Sequence, residues 1–244
     1  MGNPPLALRL GASYPDDMRL VLPIALCLLA GCAARPLSEG ERAFAATLHG
    51  PALTADAVGI TKGALIGNVV RTRPPRPAIA CRERIRRPET GPVHISTAAF
   101  VLFNRMFAAE RAYRDDYLPA YPEKLSLAAA MFVAHELTHV WQWQNRAITG
   151  YHPLKAAAEH RPGDDPYLFD LSGTPDFLSF GYEQQGGIVE EFVCCRTLDP
   201  EGARTRRLYD LLSPHFPDLA RTTAVPREQV SLPWDGAQTR GICA

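Results

Sequence analysis

The chain has no excess charge of either sign. Its 26 lysines and arginines stand against 26 aspartates and glutamates, so composition makes no case for a nucleic-acid partner. It has no internal repeat and no CxxC pair, so a zinc site made of Cys81, Cys194, Cys195 and Cys243 is possible but lacks the usual spacing. Nor does its interior hold a membrane-length apolar run. The stretch from Leu125 to Trp143 is the richest candidate, and His135, Glu136, Thr138, His139 and Gln142 interrupt it too early for a span.

Those interruptions are the informative part of the chain. His135-Glu136-Leu137-Thr138-His139 is an HExxH motif, and Leu127 to Ala134 before it is apolar on every side, the pattern of a buried helix that Ser126 can cap. On a helix, residues four apart share a face one turn apart, so His135 and His139 offer two imidazoles to one metal ion. Glu136 projects beside them, where it can take a proton from a water on the metal. A buried helix that turns two histidines and a glutamate to one side needs partners for them, and a metal and a cleft supply those partners. Zn²⁺ is the expected ion, because the motif is the zinc-peptidase arrangement.

The N-terminus reads as a leader. Met18-Arg19 precedes an apolar stretch from Leu20 to Leu29, which ends in Leu29-Ala30-Gly31-Cys32. The Leu-Ala-Gly-Cys ending resembles a bacterial lipobox. The resemblance implies cleavage before Cys32, lipid on its sulfur and anchoring to a membrane of the bacterial cell envelope. Ala33, rather than aspartate, resembles outer-membrane sorting in a Gram-negative cell, facing the periplasm. Asp16 and Asp17 suit an n-region poorly, so Met18 is the expected start of translation. The expected organisation is an N-terminal extension and signal over 1–31, a lipidated terminus and short linker over 32–36, and one domain over 37–244.

Outside the leader and Cys32, the cysteines are Cys81, Cys194, Cys195 and Cys243. An even count in an oxidising compartment predicts disulfides. Adjacent cysteines pair poorly with each other, so Cys194 and Cys195 are expected to reach Cys81 and Cys243, in an order the sequence leaves open. A basic cluster at Arg71, Arg73, Arg76, Arg82, Arg84, Arg86 and Arg87, interleaved with Pro74, Pro75 and Pro77, reads as a solvated loop or strand edge. Binding to an anionic surface is its functional alternative.

Ser38 to Glu41 has the form of a capping box and opens a short helix carrying Phe44, Ala45 and Leu48. Val58 to Val70 is strand-like, and Ala78–Cys81 and Val93–Ile95 read as short strands. Ser96 is expected to cap a helix with Phe100, Val101, Phe103, Met106 and Phe107. Residues 146 to 179, rich in glycine and proline, read as a long irregular connection of the kind that often lines a site. Gly181–Leu198 reads as a helix, and Asp199-Pro200 as the start of another to about Leu212. The fold class is α+β: a single zincin-like domain with a small sheet, the HExxH helix and a later helix that bears a ligand.

A catalytic zinc takes three protein ligands and keeps one position open. Candidates for the third are His152, Glu159, His160, Glu183, Glu190, Glu191 and His215. The residues after His139, Val-Trp-Gln-Trp-Gln-Asn, lack the glycine and histidine of the metzincin pattern. Glu183, opening a later helix, is favoured, with Glu190 and Glu191 as fallbacks. Tyr182, Tyr167, His160 and His152 are candidates to stabilise an oxyanion.

His135-Glu136-Leu137-Thr138-His139-Val140-Trp141-Gln142, with the later Phe180-Gly181-Tyr182-Glu183-Gln184-Gln185-Gly186-Gly187-Ile188-Val189, resembles a family of small bacterial VgrG-related zincins. That family is itself similar to the core domain of contractile injection systems. The resemblance implies a zinc site with Glu183 as third ligand and Glu136 as general base, and a peptide or protein substrate. The chain departs from the family motif at Gly187, where the family has a glutamate. A carboxylate there would orient a metal-binding histidine, so its absence bears on catalytic strength more than on metal binding. The reading is a lipid-anchored zinc metallopeptidase. The alternatives are a zincin-fold envelope scaffold without activity and a binding lipoprotein, on which Trp141 and Trp143 would mark a ligand surface.

Overall fold

The computed structural model describes residues 34–63, 67, 69–161, 164–173 and 176–244. The leader, Met18, Cys32 and Ala33 lie outside the described residues. Among the described residues, no helix is long and apolar enough to cross a membrane.

A four-stranded mixed sheet is built from β1 (Arg35–Pro36), β2 (Gly59–Lys62), β5 (Ala99–Leu102) and β6 (Arg105–Ala108), in the order β1-β2-β6-β5. The β2–β6 pair is parallel, and the two outer pairs are antiparallel. A separate antiparallel pair joins β3 (Val70–Arg73) to β4 (Val93–Ser96). Two-residue strands β7 (Leu125–Ser126) and β8 (Val230–Ser231) pair in parallel. The helices are α1 (Glu39–Ala46), α2 (Cys81–Arg84), α3 (Leu127–Gln144), α4 (Arg146–Thr149), α5 (Pro153–Ala158), α6 (Tyr182–Leu198) and α7 (Ala203–Leu212). This is the α+β class, with the HExxH helix α3 packed along the Glu183-bearing helix α6.

Each element has a local cause. Ser38 caps α1 through its hydroxyl while Glu41 reaches back to the Ser38 N–H, closing the capping box. The α3 helix is buried along nearly its whole length. Trp141 sits in the core against Phe177 and Phe216, whereas Trp143 is half-buried between Phe103 and Arg146. The start of α6 is held by Glu159, whose two carboxylate oxygens accept the N–H groups of Tyr182 at 2.9 Å and Glu183 at 3.0 Å. A side chain at Gly181 would run into that carboxylate, so glycine allows the close approach.

Four sequence expectations fail. Residues 99–108 form the β5–β6 hairpin and not a helix. Phe100, Val101, Phe103, Met106 and Phe107 match helical spacing but also alternate across a pleat. There Val101 and Met106 pair on the buried face, and Phe100 stacks on Phe107 at 4.9 Å across the strands. The tight turn places Phe103 at φ +60°. Cys81 opens helix α2 and not a strand end, because the buried Glu191 carboxylate accepts the N–H groups of Cys81 and Arg82. The stretch 146–179 is also less irregular than expected, since α4 and α5 lie within it. The α7 helix starts at Ala203, later than Asp199-Pro200; Asp199 instead accepts the Cys243 N–H.

The disulfides join Cys81 to Cys194 and Cys195 to Cys243. Adjacent residues on α6 thus reach two different parts of the chain. In the basic cluster, Arg73 is paired with Glu89 and Arg76 with Asp165, each through two hydrogen bonds, and Arg84 donates to the Ile242 carbonyl.

Candidate metal centre

One turn of α3 separates His135 from His139, and their Nε2 atoms lie 3.1 Å apart. Glu183 enters from the first turn of α6, with Oε2 at 3.2 Å from His135 Nε2 and 3.4 Å from His139 Nε2. All three residues are buried, and their donor atoms form a nearly equilateral triangle. A tetrahedral ion about 2.0–2.1 Å from each donor sets donors roughly 3.3 Å apart, so the triangle has the size such an ion requires. Two imidazole lone pairs facing each other at this distance need a proton or a cation between them. The donor set of two imidazoles and one carboxylate, which leaves a fourth tetrahedral position to a non-protein ligand, suits a catalytic divalent metal.

Neighbouring amides fix the tautomer of His139. The Gln142 side-chain nitrogen donates to the Tyr182 carbonyl at 3.0 Å and to Gln185 Oε1 at 3.0 Å, and Gln185 in turn donates to the Phe180 carbonyl. Gln142 Oε1, 2.8 Å from His139 Nδ1, must therefore accept an N–H from that ring. Nδ1 therefore carries a proton, and Nε2, facing His135 and Glu183, is the nitrogen whose lone pair a bound metal would take. The sequence placed Gln142 and Gln185 in the two motifs without giving them this task.

Charge explains the titration of the cluster. Burial would lower both histidines, but Glu183 outweighs it. His139 is pushed up to about 9 by the Glu183 charge and hydrogen bond, and His135 is raised by the Glu183 hydrogen bond and the Glu190 charge. Burial alone would raise Glu183, yet the two imidazoles hold it well below the usual carboxylate range. Glu136 differs. Burial raises its carboxyl against the pull of both histidines, and its Oε2 has no hydrogen-bond partner. An unpaired buried carboxylate next to the donor triangle is a base with nothing else to do.

The remaining candidates separate cleanly. His152 caps α5 by accepting the Leu154 N–H, and Glu159 caps α6. His215 lies 3.1 Å from Asp176, away from the cluster. Glu191 is fully buried against the start of α2 and Arg204, so it is not a ligand. Glu190 approaches His135 from its other nitrogen, with Oε1 at 3.5 Å from Nδ1. Tyr182 donates its hydroxyl to the Gly150 carbonyl and is structural. His160 stands 3.6 Å from Glu183 Oε1 and 3.1 Å from the Tyr167 hydroxyl, so these two rings flank the carboxylate. The Tyr167 phenol is raised by burial and by Glu183, and stays a proton donor.

No family model matches the chain, and no curated protein does. Among solved structures the chain is similar to the effector domain of Pseudomonas aeruginosa VgrG2b, at 20% identity and a TM-score of 0.45, covering 80% of this chain and 92% of that one. A likeness of that degree assigns no role to any residue here.

Proposed function

We propose that the chain is a zinc-dependent hydrolase acting on peptide bonds. The observation that carries this reading is the buried triangle of His135 Nε2, His139 Nε2 and Glu183 Oε2 beside the unpartnered Glu136 carboxylate. Those three residues would hold the metal. Zinc in such a site supplies acidity to a coordinated water and polarises a substrate carbonyl.

The chain's own residues do the rest. Glu136 takes the proton as the water attacks and hands it to the leaving amine. Gln142 keeps His139 in the tautomer whose lone pair faces the site. Tyr167 and His160, on the Glu183 side, are the donors placed to meet a developing oxyanion. Lipidation of Cys32 and residence in the bacterial envelope belong to the same proposal, supported by the Leu29-Ala30-Gly31-Cys32 ending. Cys32→Ser is expected to abolish acylation of the full chain.

The experiment is metal analysis of the purified full chain, followed by digestion of a peptide library. One zinc per chain is expected. Glu136→Gln should keep the zinc and the melting temperature while hydrolysis falls by roughly 10²–10⁴-fold. Zinc binding without cleavage of any peptide would favour the inactive scaffold, and cleavage undiminished in Glu136→Gln would overturn the mechanism.

A further inference from the structure

Gly187 leaves a gap on the face of α6 that meets the site, and an arginine occupies it. A Cβ on residue 187 would come 2.6 Å from Arg82 Nη1 and 3.1 Å from the Tyr167 carbonyl. Arg82 belongs to α2 and is only 4% exposed. Its Nη2 donates to the Tyr167 carbonyl at 2.6 Å, its Nε lies 2.8 Å from Glu83, and its guanidinium rests over the Phe169 ring. Nη1 lies 3.4 Å from Glu190 Oε2. The other oxygen of Glu190 is the one 3.5 Å from His135 Nδ1.

That nitrogen needs an acceptor. His135 Nε2 faces His139 and Glu183, so to offer a lone pair there the ring must carry its proton on Nδ1. Nδ1 is buried and has no hydrogen-bond partner at strict geometry among the described residues. A buried N–H without an acceptor is rare, and the Glu190 carboxylate lies a few tenths of an ångström beyond hydrogen-bond reach. His139 already has its acceptor in Gln142, so the two rings differ only in this respect.

We propose that Glu190 is the positioning residue of His135, taking its Nδ1–H, and that Arg82 holds Glu190 in place from the room left by Gly187. The carboxylate expected at position 187 is thereby supplied from one turn later on α6. The proposal rests on the metal reading. It also ties α2 to the site, because Cys81, next to Arg82, is bonded to Cys194 of α6.

The test is zinc affinity of the full chain by competition with a chromophoric chelator, joined to the ring ¹⁵N–¹H spectrum of histidine-labelled, zinc-loaded protein. Glu190→Ala should weaken zinc binding 10–100-fold and abolish the slowly exchanging His135 Nδ1–H signal. Glu190→Gln, whose amide oxygen still accepts, should recover much of both and carries the test if the alanine variant does not fold. Arg82→Gln should shift affinity in the same direction by less. Wild-type zinc affinity retained within about twofold in Glu190→Ala overturns the proposal alone, as does a glutamine variant no better than alanine. A wild type that binds no zinc overturns both this proposal and the reading beneath it, and His139→Ala, expected to lose zinc, calibrates the assay.

Discussion

The two halves of α6 do opposite things with the same backbone. Its first turns carry Glu183, Gly186, Gly187 and Glu190, and hydrogen bonds hold them through Glu159, Gln142 and Gln185. Its last turns carry Cys194 and Cys195, bonded covalently to α2 and to the C-terminal segment. In the second half the buried Glu191 collects two N–H groups and the Arg204 guanidinium, and the Arg196 guanidinium collects the carbonyls of Thr47 and Ala220. Facing the first half, Glu136 and His135 keep buried polar atoms without partners. Arg196 Nε in the second half is also without a partner, so neither burial nor an unpaired atom distinguishes site from scaffold here. What distinguishes them is that the donor atoms of His135, His139 and Glu183 converge on a common point.

The comparison predicts that the halves break independently. The largest effect belongs to the site: Glu183→Ala and His139→Ala should lose zinc altogether, because two remaining donors make a poor site. The same variants should still show Cys81, Cys194, Cys195 and Cys243 oxidised, with no more free thiols than wild type on titration in denaturant. Removing a disulfide should do the reverse. Cys195→Ser with Cys243→Ser opens a bridge of sequence separation 48, and Cys81→Ser with Cys194→Ser one of separation 113. Each should lower unfolding free energy by about 2–4 kcal/mol in a urea titration, the longer loop slightly more. Only the Cys81–Cys194 pair should also weaken zinc, since it alone tethers α2 and Arg82. Equal zinc loss in both double variants would mean that the halves are not separable.

A smaller effect sharpens the same boundary. Gln142→Leu removes the acceptor that fixes the His139 proton on Nδ1. Zinc affinity should fall by about tenfold or more, and the melting temperature should fall as well, because the Tyr182 carbonyl and Gln185 lose their donor. An unchanged affinity would mean that the tautomer of His139 is set by the metal itself.

The legible part of this molecule is the part written in local spacing. HExxH states its own helix and face, and the Ser38 capping box states the start of α1. The adjacency of Cys194 and Cys195 excludes their pairing with each other. The 99–108 segment was illegible because five apolar positions satisfy a helical stripe and a pleat at once; cross-strand pairing of Val101 with Met106 decided it, and that is a contact, not a spacing. The α2 helix depends on Glu191, 109 residues from Arg82. The role of Glu190 was hidden for the same reason. Gly187 looked like a missing carboxylate, because nothing near it in sequence announces that Arg82 fills the gap.

The mildest test compares two buried histidines, His139 on α3 and His49, which packs against α3 at Thr138. His139 is pushed up to about 9, and His49 is pushed down to about 3, by burial first and then by the charge of Arg196. His49 Nε2 lies 3.2 Å from the Thr138 hydroxyl, which donates its own hydrogen to the Ala134 carbonyl, so His49 is the donor and is neutral. The folded-state pKa lies below the unfolded value near 6.5. Its contribution is therefore fully present above that pH and is lost as pH falls toward 3, because only the unfolded chain takes up the proton. The slope for one such group is about 1.4 kcal/mol per pH unit. His49→Gln keeps a donor for Thr138 and removes the titration. Its stability deficit against wild type, measured by urea unfolding, should therefore shrink by roughly 1 kcal/mol per unit between pH 6 and 4. Groups common to both proteins cancel in that difference, including the metal cluster. A deficit that stays flat with pH would mean that His49 takes up its proton in the folded state. Absence of a carboxylate would then no longer explain why His139 on α3 belongs to the site and His49, which bonds to α3 through Thr138, to the core.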